Sequence, residues 1–330
     1  LRETHDDHKQ DSIRGIYRKF ANEEAHGRSP LYEHICLQIA EDSELIDFLL
    51  TLPPPKRQPN LLLAAVRYMA KEALGWPDFK RFVLSNVTDV RALMLLRATQ
   101  TNEPGRCAAL LPILATLPGP LALLEVGASA GLCLFPDYYR YDYDGYTVQG
   151  PFANAQSPTF RCSVRGSVPM PAEVPQIVWR AGLDLNPVSV AKPDEVEWLE
   201  ALVWPEQTER LENLRAAIEV VRPRPPMIQQ GDLRTDLRAL AAQAPSDATL
   251  VIMHTAVLVY LSSQEERDNF SRSVGHMANH WISNEWAGVF PTLAPEGQTE
   301  DMSRFLMMLD GQPLAWSDPH GKSLAWGIDW

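Results

Sequence analysis

The sequence predicts an α/β protein, with a helical amino-terminal domain followed by a mainly parallel sheet of seven strands that has helices on both faces and an antiparallel pair at one edge. Three observations predict it. Apolar residues recur at helical spacing through residues 10–118. From residue 120, short apolar runs alternate with amphipathic stretches, which is the grammar of strands joined by crossover helices. The last two apolar runs are joined by a Pro- and Gly-containing connection with no helical pattern, so that pair is read as antiparallel.

In the first domain, read as residues 1–118, Ile13, Ile16, Tyr17 and Phe20 share a face, as do Leu31, Ile35 and Ile39, and then Leu45, Phe48 and Leu49. Pro53, Pro54 and Pro55 stop that stretch. Residues 61–74 form a strong helix ending before Gly75, and amphipathic stretches follow at 90–98 and 108–117. In the second domain, 119–330, LALLEVG (121–127) is a short buried strand running into a glycine turn. YRYDY (139–143) reads as the second strand, and residues 145–180 as an inserted loop or hairpin region broken by proline and glycine. Pro193 to Val221 is a long helical pattern kinked or divided at Pro205. Strands follow at 226–232, 249–255, 280–286, 304–310 and 323–328, with helices after Asp232 and from about Gln264 to Asn279.

The composition is ordinary for a globular chain of 330 residues, with 45% hydrophobic and 22% charged residues, and excludes a disordered or fibrous protein. Four scattered cysteines without a C-x-x-C pair indicate reduced thiols and a cytoplasmic setting. The net charge of −12 falls entirely after residue 120, and such a body repels phosphate backbones, so nucleic acid is not the expected partner. The charged first residues lack the apolar core of a signal peptide. The uncharged run from Cys107 to Leu124 is broken by Pro112, Pro118, Gly119 and Pro120, so no membrane span is expected. Oligomeric state has no signature here.

The sharpest local signal is Glu125-Val-Gly127-Ala-Ser129-Ala-Gly131 directly after a strand. Glycines there let backbone approach a ligand closely. An E-x-G-x-G-x-G turn of this kind wraps the amino-acid portion of S-adenosylmethionine in methyltransferases, with the leading carboxylate near the ligand's ammonium group. Ser129 stands at the middle glycine, and Pro136 limits any following helix to about one turn. A tight turn without a ligand is the plainer alternative. Polar residues close other strands, where open α/β sheets bind ligands. Asp142, 17 residues beyond Glu125, is a candidate for a ribose diol, and Asp232 for an adenine edge or a helix cap. His254 is a candidate general base, with Asp184 or Glu285 beside it, or else a hydrogen-bonded histidine at the sheet rim. His276 and His280 lack a third ligand, so no metal is expected. G-A-S-A-G also matches the hydrolase elbow formally, with Ser129 as nucleophile and Asp232 and His254 in order behind it.

The chain resembles a bacterial family known as domain of unknown function 2332. The resemblance runs from about Arg57 to the carboxyl terminus and rests on Arg57-Gln-Pro-Asn60, LLEVGASAGL (123–132), GLDLNPV (182–188), WLEALVWPEQ (198–207), Gly231-Asp232, HTAVLVYL (254–261), WISNE (281–285) and GQPLAWSDPHG (311–321). Cys133 stands where asparagine is more familiar in that pattern, and Thr255 where serine is. The family is similar in fold to the Rossmann-like class I methyltransferases, and the resemblance implies that architecture without a reaction. Arg57 and Asn60 are expected as a lid over the cofactor cleft. The expected function is S-adenosylmethionine-dependent methylation of a small-molecule acceptor. A non-catalytic S-adenosylmethionine- or nucleotide-binding regulator on the same fold, and a serine hydrolase using Ser129, are its rivals.

Overall fold

A computed structural model describes residues 2–100, 102–299 and 303–327. The chain divides into two compact units, 1–101 with 192–212, and 102–191 with 213–330. The boundary therefore falls at residue 102 rather than 118, and a segment 90 residues downstream returns to the helical unit.

That unit is built from α1 (Arg2–Lys19), α2 (Pro30–Glu41), α3 (Ser43–Leu50), α4 (Pro59–Ala70), α5 (Asp78–Ser85) and α6 (Val87–Leu96). The periodic residues do what their spacing implies: Ile13, Tyr17, Ile35, Ile39, Leu45 and Leu49 are buried in one core. Ser29 caps α2 through Tyr32 N (3.1 Å), and Asp42 caps α3 through Leu45 N (3.1 Å). α4 ends at Ala70, earlier than its sequence pattern, because Lys71 turns into the left-handed region.

The second unit opens with α7 (Arg106–Leu114) and holds a nine-stranded sheet. Its strands are β1 (Leu121–Val126), β5 (Ser163–Arg165), β6 (Ile177–Asp184), β7 (Met227–Gln230), β8 (Thr249–Thr255), β9 (His280–Trp286), β10 (Phe305–Leu309), β11 (Gln312–Ser317) and β12 (Ser323–Trp326). The remaining strands, β2 (Arg140–Tyr143), β3 (Tyr146–Gln149) and β4 (Thr159–Arg161), form a separate three-stranded sheet. Between β6 and β7 lie α8 (Pro193–Leu202), which belongs to the helical unit, and α9 (Thr208–Val221). The last helices are α10 (Leu237–Ala241) and α11 (Gln264–Val274).

The large sheet runs β5-β12-β11-β10-β9-β8-β1-β6-β7. Its parallel part, β7-β6-β1-β8-β9, is a doubly wound order whose direction of progression switches beside β1. β10, β11 and β12 then pair antiparallel in succession. The sheet has nine strands where seven were expected: YRYDY, expected as its second strand, is β2 of the small sheet, while the inserted region supplies β6, next to β1, and β5, at the edge beside β12, and the connection expected after β10 is itself the strand β11. Pro313 hid β11; it sits where the register with β10 shifts, a position that tolerates a missing N–H.

The register sorts the side chains onto two faces. Val126, His254, Ser283 and Glu285 point to one face, over the core of Leu124, Leu183, Ile252, Phe270 and Trp281. Glu125, Thr255 and Asn284 point to the other, as do Gly182 and Asp184 on β6.

Candidate functional site

The turn after β1 is strung on alternating left-handed residues: Gly127 (φ 71°), Ser129 (φ 49°) and Gly131 (φ 69°). A Cβ on Gly127 would lie 2.2 Å from Val257 Cγ2, and one on Gly131 would lie 2.6 Å from Pro226, so these glycines are required by space as well as by φ. In place of a helix, two short 3₁₀ turns follow, Leu132–Leu134 and Pro136–Tyr138. Buried Asp137 then takes a bidentate ion pair from Arg180 of β6 (3.0 and 2.9 Å).

Asp184 and Asn102 shape this turn. Asp184 Oδ2 accepts from Ser129 N (2.8 Å) and Oδ1 from Asn186 N (2.7 Å). Asn102 donates to Ser129 Oγ (2.5 Å) and accepts from Ala130 N (2.8 Å). Glu125 stands beneath it, 4% exposed, and its Oε2 has no hydrogen-bond partner among the described residues. Burial holds its carboxyl well above the usual range; neighbouring Cys133 adds to that, and Arg106 opposes it. Arg106 is itself buried. It donates to Thr255 O and Oγ1 (3.0 Å each) and to Pro319 O (2.8 Å). Cys133 Sγ donates to Glu103 O (3.3 Å), and a hydrogen bond with Cys107, reinforced by burial, pushes its thiol up. The two positions that depart from the family pattern, Cys133 and Thr255, are thus both bonded into this cluster.

The predicted residues fall into three places. Glu125, Gly127, Ser129, Gly131 and Asp184 come together at the switch point. His254 and Glu285 come together on the opposite face. His254 Nδ1 is 2.7 Å from Glu285 Oε1, and Trp281 Nε1 donates to His254 Nε2 (2.9 Å). An indole N–H only donates, so Nε2 accepts and the ring proton sits on Nδ1, facing the carboxylate. The imidazole has no exposed surface and neither nitrogen is left for a substrate. Glu285 Oε1 also accepts from Val257 N (2.8 Å) and Leu258 N (3.1 Å), which secures the loop after β8. This pair reads as structural, and the expected pairing of His254 with Asp184 does not form.

The third group lies elsewhere. Asp142 is in the small sheet, closing the β2–β3 hairpin through Gly145 N (2.8 Å), because β6 and not β2 is the neighbour of β1. The carboxylate at the end of that neighbouring strand is Asp184. Asp232 does close the β7 end, but Arg234 grips it (2.6 Å) and holds its carboxyl below the usual range. Arg57 donates to Leu52 O (2.9 Å) and Asn60 accepts from Trp204 Nε1 (3.0 Å), so both have packing duties inside the helical unit that the sequence did not suggest. Ser129 Oγ bonds to Asn102, and the imidazole a triad would need is held by Glu285 and Trp281. Among the described residues no cluster of three His, Cys, Asp or Glu side chains could hold a metal, and no helix is long and apolar enough to cross a membrane.

Sequence reasoning missed Asn102, Glu103, Arg106 and His320. Their signal was available as a polar N-E-P-G-R segment between apolar helices, and as the unassigned D-P-H-G near the end of the chain.

The family model described as an uncharacterized protein conserved in bacteria (DUF2332) matches residues 14–326, and the chain belongs to that family. No curated protein matches it.

Proposed function

We propose that this member of the family binds S-adenosylmethionine at the switch point and transfers its methyl group to a small-molecule acceptor in the bacterial cytoplasm. The observation that carries the reading is Glu125: a buried carboxyl with an unpartnered oxygen, at the carboxyl end of the first strand, under a turn of left-handed residues. A buried unpaired acceptor is costly unless something meets it, and the ammonium of an amino-acid ligand is the matching donor. Asp184 replaces Asp142 as the residue for ribose hydroxyls; each of its oxygens already takes one backbone N–H and retains a lone pair. The narrowness of the turn at Gly127, where Val257 stands close, restricts the ligand to an approach along the backbone.

When bound, the cofactor supplies an electrophilic methyl carbon. The protein's contribution is then alignment of acceptor, methyl and sulfur, worth up to ~7–11 kcal/mol of the barrier. The −12 charge favours a neutral or cationic acceptor over nucleic acid.

Calorimetric titration with S-adenosylmethionine and S-adenosylhomocysteine tests the reading. Ligand at 100 times its dissociation constant adds about 2.7 kcal/mol, a rise of roughly 5–11 °C in melting temperature for a unit of this size. Binding that weakens in Glu125→Gln and Asp184→Asn is expected; a folded protein that binds neither ligand refutes it. The engaged nitrogens of His254 favour one second reading, a binding protein without turnover. The hydrolase reading predicts labelling of Ser129 by a phosphonylating probe, and its bond to Asn102 opposes that.

A further inference from the structure

Resting on the S-adenosylmethionine reading above, we propose that Asn284 receives the carboxylate of the ligand's amino-acid portion while Glu125 receives its ammonium group. One face of the sheet then reads both charged ends of an α-amino acid.

Four observations carry it. First, Asn284 is only half used. Its Oδ1 accepts from Ser317 Oγ (2.8 Å), and its Nδ2 has no hydrogen-bond partner among the described residues, although the side chain has no exposed surface. A buried amide nitrogen with unpaired hydrogens is costly unless a ligand or a water meets it.

Second, Asn284 shares its face of the sheet with Glu125. Glu125 is level with Met253 of β8, and Asn284 is level with Thr255, two residues further along the same strand. Alternation therefore puts Glu125, Thr255 and Asn284 on one side of β1, β8 and β9, three adjacent parallel strands, near their carboxyl ends. Open α/β sheets bind ligands there.

Third, the open end of the amide is turned toward β8. Ser317 belongs to β11, which lies beyond β10 on the side of β9 away from β1. Its hydroxyl engages the amide oxygen on that side, and in a planar amide the nitrogen then takes the other. Two strand spacings and two residues separate Glu125 from Asn284, roughly 12 Å between Cα atoms on a flat sheet. The two side chains close part of that distance, and a short group with a donor at one end and an acceptor at the other spans the rest.

Fourth, the two ends differ in chemistry. An ammonium group only donates and matches the unpartnered oxygen of Glu125, whereas a carboxylate only accepts and matches the N–H hydrogens of Asn284. The pair therefore fixes which way round the amino acid lies.

The test uses the full chain and calorimetric titration with two ligands: S-adenosylhomocysteine, and its decarboxylated analogue, which keeps the amine and lacks the carboxylate. Wild-type protein should bind S-adenosylhomocysteine at least about tenfold more tightly, as expected of one charge-assisted hydrogen bond. Asn284→Asp keeps the acceptor for Ser317 and the shape of the side chain but replaces the N–H hydrogens by a second oxygen. It should abolish the preference by weakening S-adenosylhomocysteine alone, with melting scans establishing that the variant is folded. A measurement on the wild-type chain needs no folded variant: with ¹⁵N-asparagine labelling, the Nδ2 resonance of Asn284 should move when S-adenosylhomocysteine binds and stay in place when the analogue binds. Equal wild-type affinity for the two ligands, equal loss of both in folded Asn284→Asp, or an Nδ2 resonance indifferent to S-adenosylhomocysteine overturns the inference. Each of these would assign Asn284 to the fold or to a buried water and leave the binding reading standing. Absence of calorimetric binding of either ligand to the wild-type chain overturns both.

Discussion

Replacing His254 by leucine separates a structural histidine from a catalytic one. The side chains are close in size, so the substitution mainly deletes two hydrogen bonds: the ring's bond to Glu285 (2.7 Å) and the one it accepts from Trp281 (2.9 Å). A hydrogen bond to a charged group contributes about 1.5–3 kcal/mol, and the orphaned indole N–H of Trp281 costs about 1–3 kcal/mol more. The combined loss is on the order of 2.5–6 kcal/mol, or roughly 5–24 °C in melting temperature. Calorimetric melting and urea denaturation would measure it. Trp281→Phe completes a double-mutant cycle, and a coupling of about 0.5–3 kcal/mol is expected between the two. Ligand affinity of the folded His254→Leu protein should stay near wild type. A variant that melts like wild type but has lost S-adenosylmethionine binding or turnover would refute the reasoning, because it would show the ring acting on ligand rather than on the fold.

Glu125 carries a pH signature. Its carboxyl is raised by burial, so the folded state keeps a proton that the unfolded chain releases above the ordinary carboxyl range. Stability should therefore fall as pH rises from that range toward the raised value, by at most about 1.4 kcal/mol per pH unit, and Glu125→Gln should flatten the slope in melting scans. Asp184→Asn turns one acceptor into a donor facing a backbone N–H; a loss of about 1–3 kcal/mol is expected on denaturation, along with weaker ligand binding by calorimetry. Gly127→Ala should destabilise by about 1–3 kcal/mol through the left-handed backbone and the clash with Val257, and relief by Val257→Ala would identify the clash. Arg106→Met leaves the Thr255 and Pro319 carbonyls unpaired and takes a cation from beside Glu125. It should cost about 2–5 kcal/mol, read from urea midpoints.

The elements that sequence predicted well are those with a local cause. Periodic apolar residues, the proline stop at 53–55 and the glycine turn after β1 each act within a few residues of themselves. The candidate site was legible to the same extent: Glu125, Gly127, Ser129 and Gly131 lie within seven residues of chain, whereas Asp184 and Asn102, which bond the turn, come from elsewhere in the sequence. Asp142 shows the limit. Its 17-residue spacing from Glu125 suited a ribose contact, but spacing along the chain does not say which strand hydrogen-bonds to β1. An inserted small sheet displaced β2 and gave the place to β6, whose prolines and glycines upstream had disguised it. His254 shows a second limit, since alternation turns a one-residue step into the opposite face of the sheet.

Sequence alone therefore determined the class of fold, the helical first unit, the strand before the glycine turn and the acidic residue beneath it, because these follow from periodicity, backbone conformation and burial of short runs. Tertiary structure alone decided which carboxylate stands beside that turn, and that His254 is held between Glu285 and Trp281. It alone brought Glu103 and His320, 217 residues apart, within hydrogen-bond distance. Those outcomes depend on strand order and loop packing, which are fixed by contacts between residues far apart in the chain.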